Sequence, residues 1–244
     1  MNTHLTKKRL LPAIALACLA PLTSHNAQAA VTFDSYAKMT YTIDSITNSA
    51  NPGNFSGLGI SGSFEFAPDQ SIQQINGDGS VTPLLSGSGN PSPVPGGSYS
   101  RTFKLNGTAN NGADVAANYL AWFGLAFQNT STNSYDIGVT LSYELSAKAV
   151  GNNAFTDVTL NFFNEKGNFT GSDYIDAITG GNNLLKKSSE FSFTLAPSAS
   201  GKLSVDTGIS GTLQPEGVPL PSAFWLFASA LLALPGIRKS KRTM

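Results

Sequence analysis

Histidine, cysteine and charge are all scarce in this chain. Two histidines and one cysteine occur in 244 residues, and charged side chains make up only 12%, about half of the ~25% usual in soluble domains. His4, Cys18 and His25 all lie near the N-terminus. Removal of that segment leaves a protein without His or Cys. Such a protein forms no disulfide and no Ser-His-Asp or Cys-His arrangement, and it lacks the usual zinc, copper and haem ligands. Carboxylate, Lys, Tyr, Ser and Thr chemistry remains, together with oxygen-ligated calcium. The few Lys and Arg exclude the basic patch of a nucleic-acid binder. Helical periodicity is missing too. Ala113 to Tyr119 is the one stretch with room for a short helical turn.

What is present first concerns address. All fifteen acidic residues lie between Asp34 and Glu216, whereas Lys7, Lys8, Arg9, Arg238, Lys239, Lys241 and Arg242 lie outside that span. The zero net charge therefore conceals a middle of −7 flanked by basic ends. Each basic cluster borders an apolar run, which marks membrane topology rather than folded surface. Lys7 to Arg9, then Leu10 to Leu22, then Ala27-Gln28-Ala29 form the three parts of a secretory signal peptide, with cleavage between Ala29 and Ala30. An uncleaved anchor and a lipoprotein built on Cys18 are the alternatives; the apolar run is short for the first, and Ala15 stands where a lipobox usually has Leu.

At the other end, 217–237 carries no charge, and its roughly 20 apolar residues suffice to cross a ~30 Å hydrocarbon core as a helix. Trp225 suits an interface, and Arg238, Lys239, Lys241 and Arg242 would hold the far end in the cytoplasm. The order Val218-Pro219-Leu220-Pro221, apolar helix, basic cluster resembles the PEP-CTERM sorting tail in its Val-Pro-Leu-Pro variant. That resemblance implies export from a Gram-negative bacterium and a transient inner-membrane anchor. It further implies recognition of Val218, Pro219, Leu220 and Pro221 by exosortase, retention through the basic cluster, and delivery to the cell surface or exopolysaccharide matrix. A permanent single-span anchor is the alternative, since the same hydropathy supports it.

Between these addresses, alternation of period two dominates. Tyr135, Ile137, Val139, Leu141, Tyr143, Leu145 and Ala147 line one face, with polar residues between them. Similar runs occur at Met39-Tyr41-Ile43, Tyr99-Arg101-Phe103-Leu105, Val158-Leu160-Phe162, Phe191-Phe193-Leu195 and Leu203-Val205-Thr207-Ile209. Ile60, Phe64 and Phe66 share a face on which Gly62 leaves a gap, the sign of a bulge or a close backbone approach. Tyr119 to Phe127 is apolar on both faces and reads as a central strand buried on both sides, Trp122 included.

Roughly nine strands separated by Gly, Asn and Ser predict an all-β, antiparallel sandwich of jelly-roll type. The expected organisation is signal peptide 1–29, sandwich 30–213 with a long Gly/Ser/Pro loop at 86–98, spacer and sorting motif 214–221, transmembrane helix 222–237 and basic cytoplasmic tail 238–244. A split at the loop would leave about three strands on its N-terminal side, too few for an independent core.

Candidate chemistry is sparse. Asn76-Gly77-Asp78-Gly79-Ser80 has alternating oxygen side chains but lacks the glycine and glutamate positions of a calcium loop, so a hairpin turn fits better. Asp173 and Asp176 could share a cation but read as a solvated loop, and Lys186-Lys187 as a turn. Glycoside hydrolysis needs two carboxylates facing across a cleft. Glu65, Glu144, Glu165 and Glu190 are available, no spacing selects a pair, and alternation puts Glu144 on a solvent face. Phe162, Phe163 and Tyr174 could stack against sugar or serve the core.

The expectation is thus a non-catalytic, cofactor-free surface or matrix protein with a structural or adhesive role. Its partners would be signal peptidase and exosortase during export, the membrane before processing, and exopolysaccharide afterwards. Calcium is the one metal candidate. A carbohydrate-binding module is the first alternative and a secreted glycoside hydrolase the second.

Overall fold

Period-two alternation builds almost everything in the computed structural model, which describes residues 30–215 apart from 88 and 111. The strands are β1 (Val31–Asn48), β2 (Leu58–Phe66), β3 (Ile72–Asn76), β4 (Gly79–Ser86), β5 (Ser98–Ala109), β6 (Asp114–Asn129), β7 (Tyr135–Val150), β8 (Ala154–Phe163), β9 (Phe169–Ile178), β10 (Asn182–Leu195) and β11 (Ser200–Leu213). All pair antiparallel. Sheet A has the order β10-β7-β1-β5-β4; sheet B has the order β2-β6-β11-β8-β9. β2 and β3 occupy successive stretches of the same β6 edge, separated by a 3-10 turn at Pro68–Gln70.

The expected signal peptide, including Ala27 and Ala29, lies outside the described residues. So do the motif Val218 to Pro221, the span 222–237 and the basic cluster at Arg238, Lys239, Lys241 and Arg242. No helix among the described residues is long and apolar enough to cross a membrane.

The core lies between the sheets, where each strand turns its apolar parity inward. Tyr135 to Ala147 behaves as the alternation predicts, every odd position being buried. Phe33 on β1 ties the sheets together. A Cβ on its in-register neighbour Gly107, or on Gly211 of the opposite sheet, would run into its ring. These glycines are therefore the space the ring occupies, and overpacking them would cost about 1–3 kcal/mol. The gap at Gly62 has the same cause: the Tyr99 ring lies where a Cβ would be, and β2 passes without a bulge. The bulge falls instead in β1, between Ile43 and Ser45, where it moves the inward parity from odd to even residues so that Ile46 still faces the core.

Buried polar groups are tied down. The Ser35 and Thr156 hydroxyls meet at 2.7 Å, and Thr156 donates to the Ser210 carbonyl. Asn129, only 1% exposed, donates from Nδ2 to the carbonyls of Asn133, Leu195 and Ala196 and accepts from Ser131, which pins two loops to the end of β6.

Four expectations are corrected. Ala113 to Tyr119 forms no helical turn, because almost all of it belongs to β6, which continues past Tyr119. Asp173 and Asp176 lie on strand β9 rather than a loop, and their three-residue spacing sends them to opposite faces. Lys186-Lys187 lies within β10 rather than at a turn. Tyr119 to Phe127 is central in its sheet but covered on one side only, since Trp122 is 37% exposed on the outer face. The strands number eleven among the described residues. Those unforeseen, β3, β4 and β9, lie on sheet edges, where a polar sequence satisfies the fold. The loop after β4 closes a hairpin, since β4 and β5 pair. It is also held to β1 through hydrogen bonds of Ile43 with Gly96 and Gly97.

Candidate functional site

The outer face of sheet B carries the arrangement with the most chemical content. Register places Asn161 (β8), Asp206 (β11), Trp122 (β6) and Glu65 (β2) in one row across four strands. Each residue follows an inward neighbour, so all four side chains project outward. Trp122 thus has a carboxylate on either side. Burial raises the carboxyl of Asp206 above its ordinary value, against the opposing pull of Lys202. Glu65 and Asp206 are two strands apart, about 10 Å between backbones. They stand side by side on one surface with the indole between them, not facing across a cleft as acid and base must in glycoside hydrolysis.

From Trp122 the face falls away along β6. Gly124 and Ala126 follow on the outer parity, flanked by Ser63 and Ser61 on β2 and by Ser204 and Lys202 on β11. The missing side chain at Gly124 is needed: a Cβ would approach Lys202 Cε to 2.5 Å and Ser63 Oγ to 2.7 Å. Beyond it a trough of about 550 Å³ is floored by Gly59, Ser61, Ala126 and Gly201 and bordered by Glu165 and Lys202. Trp122 to Gln128 spans about 20 Å along the strand. Further outward-facing aromatics lie across the sheet. Tyr174 on β9 is 54% exposed, and Phe163 packs edge-on against Phe169 with centroids 5.9 Å apart. Phe162, by contrast, faces inward and is buried.

A second recess, of about 380 Å³, opens between the sheets where β4 and β2 form the edges. Arg101 sits there on the apolar parity of β5. Its guanidinium lies 4.1 Å from the Tyr99 ring centroid and donates to the carbonyls of Ser100 and Gly89. Tyr99 stacks on Phe123, which stacks on Tyr41. Arg101 thus caps a column of rings rising from the core, and its charge is held by backbone oxygen and a π face.

At the opposite open side, Lys187 on β10 also points inward and meets Asp173 on β9 at 2.5 Å, with Tyr143 donating to the same carboxylate. Burial opposes ionisation of Asp173, but the bonds from Lys187 and Tyr143 outweigh it and hold the carboxyl below its usual range. Inward charges on edge strands discourage edge-to-edge pairing, and this pair suits that role.

The other candidates separate. Glu144 and Glu190 lie on the outer face of sheet A, Glu65 on that of sheet B, and Glu165 at the turn before β9. The segment 76–80 makes the β3–β4 turn, with Gly77 at φ +87°. Among the described residues, no three His, Cys, Asp or Glu side chains are grouped to hold a metal ion.

No protein-family model matches the chain, and no curated protein matches it. Among solved structures, the secreted serine protease VesC from Vibrio cholerae aligns at 7% identity with a TM-score of 0.14. That alignment covers 75% of this chain and 48% of the protease, so the chain spans about half the length of that protein. At that score the likeness carries no argument about fold or activity.

Proposed function

We propose that this chain is an exported, non-catalytic β-sandwich protein, sorted by exosortase to the cell surface or exopolysaccharide matrix, where it serves a structural or adhesive role. The observation that carries this reading is the succession in the sequence of Val218-Pro219-Leu220-Pro221, an apolar run and Arg238-Lys239-Ser240-Lys241-Arg242, paired with a three-part signal peptide ending at Ala29. The lack of His and Cys after residue 25 supports the non-catalytic part.

We further read the sandwich as a jelly-roll variant. Strands β5 to β11, with β1 closing the set, give the four-stranded orders β5-β1-β7-β10 and β6-β11-β8-β9. This is the strand order of a jelly roll whose last strand comes first in the chain, with β2 to β4 added at one side.

The test is recovery of the protein from its native host, by cell fraction, with both termini mapped by mass spectrometry. A matrix or surface species starting at Ala30 and lacking the helix from Ala223 onward is the expected result. A species still ending in Lys241-Arg242-Thr243-Met244 would make it a membrane-anchored protein and remove the sorting claim.

A further inference from the structure

We infer that the outer face of sheet B binds a chain of an uncharged, hydroxyl-rich polysaccharide along β6, with Trp122 as its anchor. The inference rests on the reading of the protein as a matrix component and names the ligand and the site.

An indole left 37% exposed on a non-edge strand keeps apolar area in water that a ligand would cover. An aromatic face is the partner that the C–H faces of sugar rings stack on. The row around it supplies what the rings' hydroxyls need. The Glu65 and Asp206 carboxylates accept hydrogen bonds, and the Asn161 amide both donates and accepts. A stacked ring can therefore be held at its edges from two sides.

The rest of the face fits a polymer rather than a single sugar. Gly59, Ser61, Ala126 and Gly201 keep the trough floor low. The Lys202 stem crosses Gly124 between the trough and Trp122, so a chain about 20 Å long would contact the indole, the Lys202 stem and the trough in turn. Charge then selects among polymers. Glu65, Asp157, Asp176 and Asp206 share this face with Lys202 as the cation along β11, so a polyanion would be repelled.

Affinity electrophoresis of the full chain in mild detergent, in gels cast with a soluble neutral β-glucan, a neutral galactomannan or alginate, tests the inference. Retardation by at least one neutral polymer and none by alginate is expected. Trp122→Ala should weaken the neutral interaction about tenfold or more, which corresponds to ~1.4 kcal/mol. Ala126→Gln, which raises the trough floor, should weaken it as well. Tyr36→Ala, on the outer face of sheet A, should leave it unchanged. Thermal unfolding of each variant checks that the fold is kept. Preference for alginate, no retardation by either neutral polymer, or retardation untouched by both Trp122→Ala and Ala126→Gln would each overturn the inference. The outcome is separable from the sorting claim. A chain cut at both ends that binds no neutral polymer loses only the ligand, and one that binds but keeps its C-terminus loses only the sorting.

Discussion

The two outer faces of the sandwich share one core but are finished in opposite ways. On sheet A, two pairs of charges meet. Lys104 meets Asp34 at 3.1 Å, and Lys186 meets Glu144 at 2.7 Å, with Tyr36 donating to the same carboxylate. The Thr140 hydroxyl donates to Asp44, and that of Thr194 to Asp136. Tyr36, the one aromatic residue on this face among the described residues, has its hydroxyl engaged by Glu144. On sheet B, the charges are mostly acidic, and the row at Trp122 puts two carboxylates beside an exposed ring. A face that pairs part of its charge within itself has less left for a ligand. A face that leaves an indole and its flanking acceptors open keeps that capacity. The difference arises although both faces obey the same alternation, because register, not composition, decides which outward residues become neighbours.

The largest predicted effect falls on what the faces share. Phe33→Ala would empty the space between Gly107 and Gly211 and cost about 3–5 kcal/mol in chemical denaturation. Both faces should be lost in one transition. Separate transitions for the two sheets would break the picture of a common core.

Acid should then act on the two faces with opposite sign. The hydrogen bonds from Lys186 and Tyr36 lower the carboxyl of Glu144, so its contribution is present above the unfolded pKa of about 4.3. It is lost as pH falls through the folded value. Burial raises the carboxyl of Asp206, so its contribution is present below the unfolded pKa of about 3.9 and is lost as pH rises through the folded value. Denaturation of wild type, Glu144→Gln and Asp206→Asn from pH 7 to pH 3 reads this out. The margin of wild type over Glu144→Gln should shrink with acid, while wild type should gain relative to Asp206→Asn. The same slope for both pairs would contradict the contrast.

The smallest effect concerns screening. Lys186→Ala should cost no more than about 1 kcal/mol, and that cost should fall as salt rises, because the pair is partly exposed. A cost independent of salt would mean that packing of the Lys stem, not charge, supports sheet A.

The legible part of the fold was the part with one wet and one dry face. Tyr135 to Ala147 announces β7 residue by residue, because every odd position is buried. Edge strands were harder to read. Gln73-Gln74 in β3 and Lys186-Lys187 in β10 interrupt the alternation, since an edge buries less than a centre and can turn a lysine inward onto Asp173. Trp122 misled for the reverse reason. Leu120, Gly124 and Ala126 make its outer face as apolar as its inner one, which reads as double burial, although no third layer covers it among the described residues. The site itself had no local signature. Glu65, Asn161 and Asp206 lie far from Trp122 in sequence, and only the register of four strands aligns them. The small outward residues Gly124 and Ala126 beside Trp122 were the one available hint.

The contrast between the faces is tested most directly by hydrogen–deuterium exchange of the full chain with and without the neutral polysaccharide that retards it most. Added protection in peptides from β2, β6 and β11, with β1, β5 and β7 unchanged, is the predicted result. Protection concentrated on β1, β5 and β7, or spread equally over both sheets, would contradict the assignment of the ligand face to sheet B.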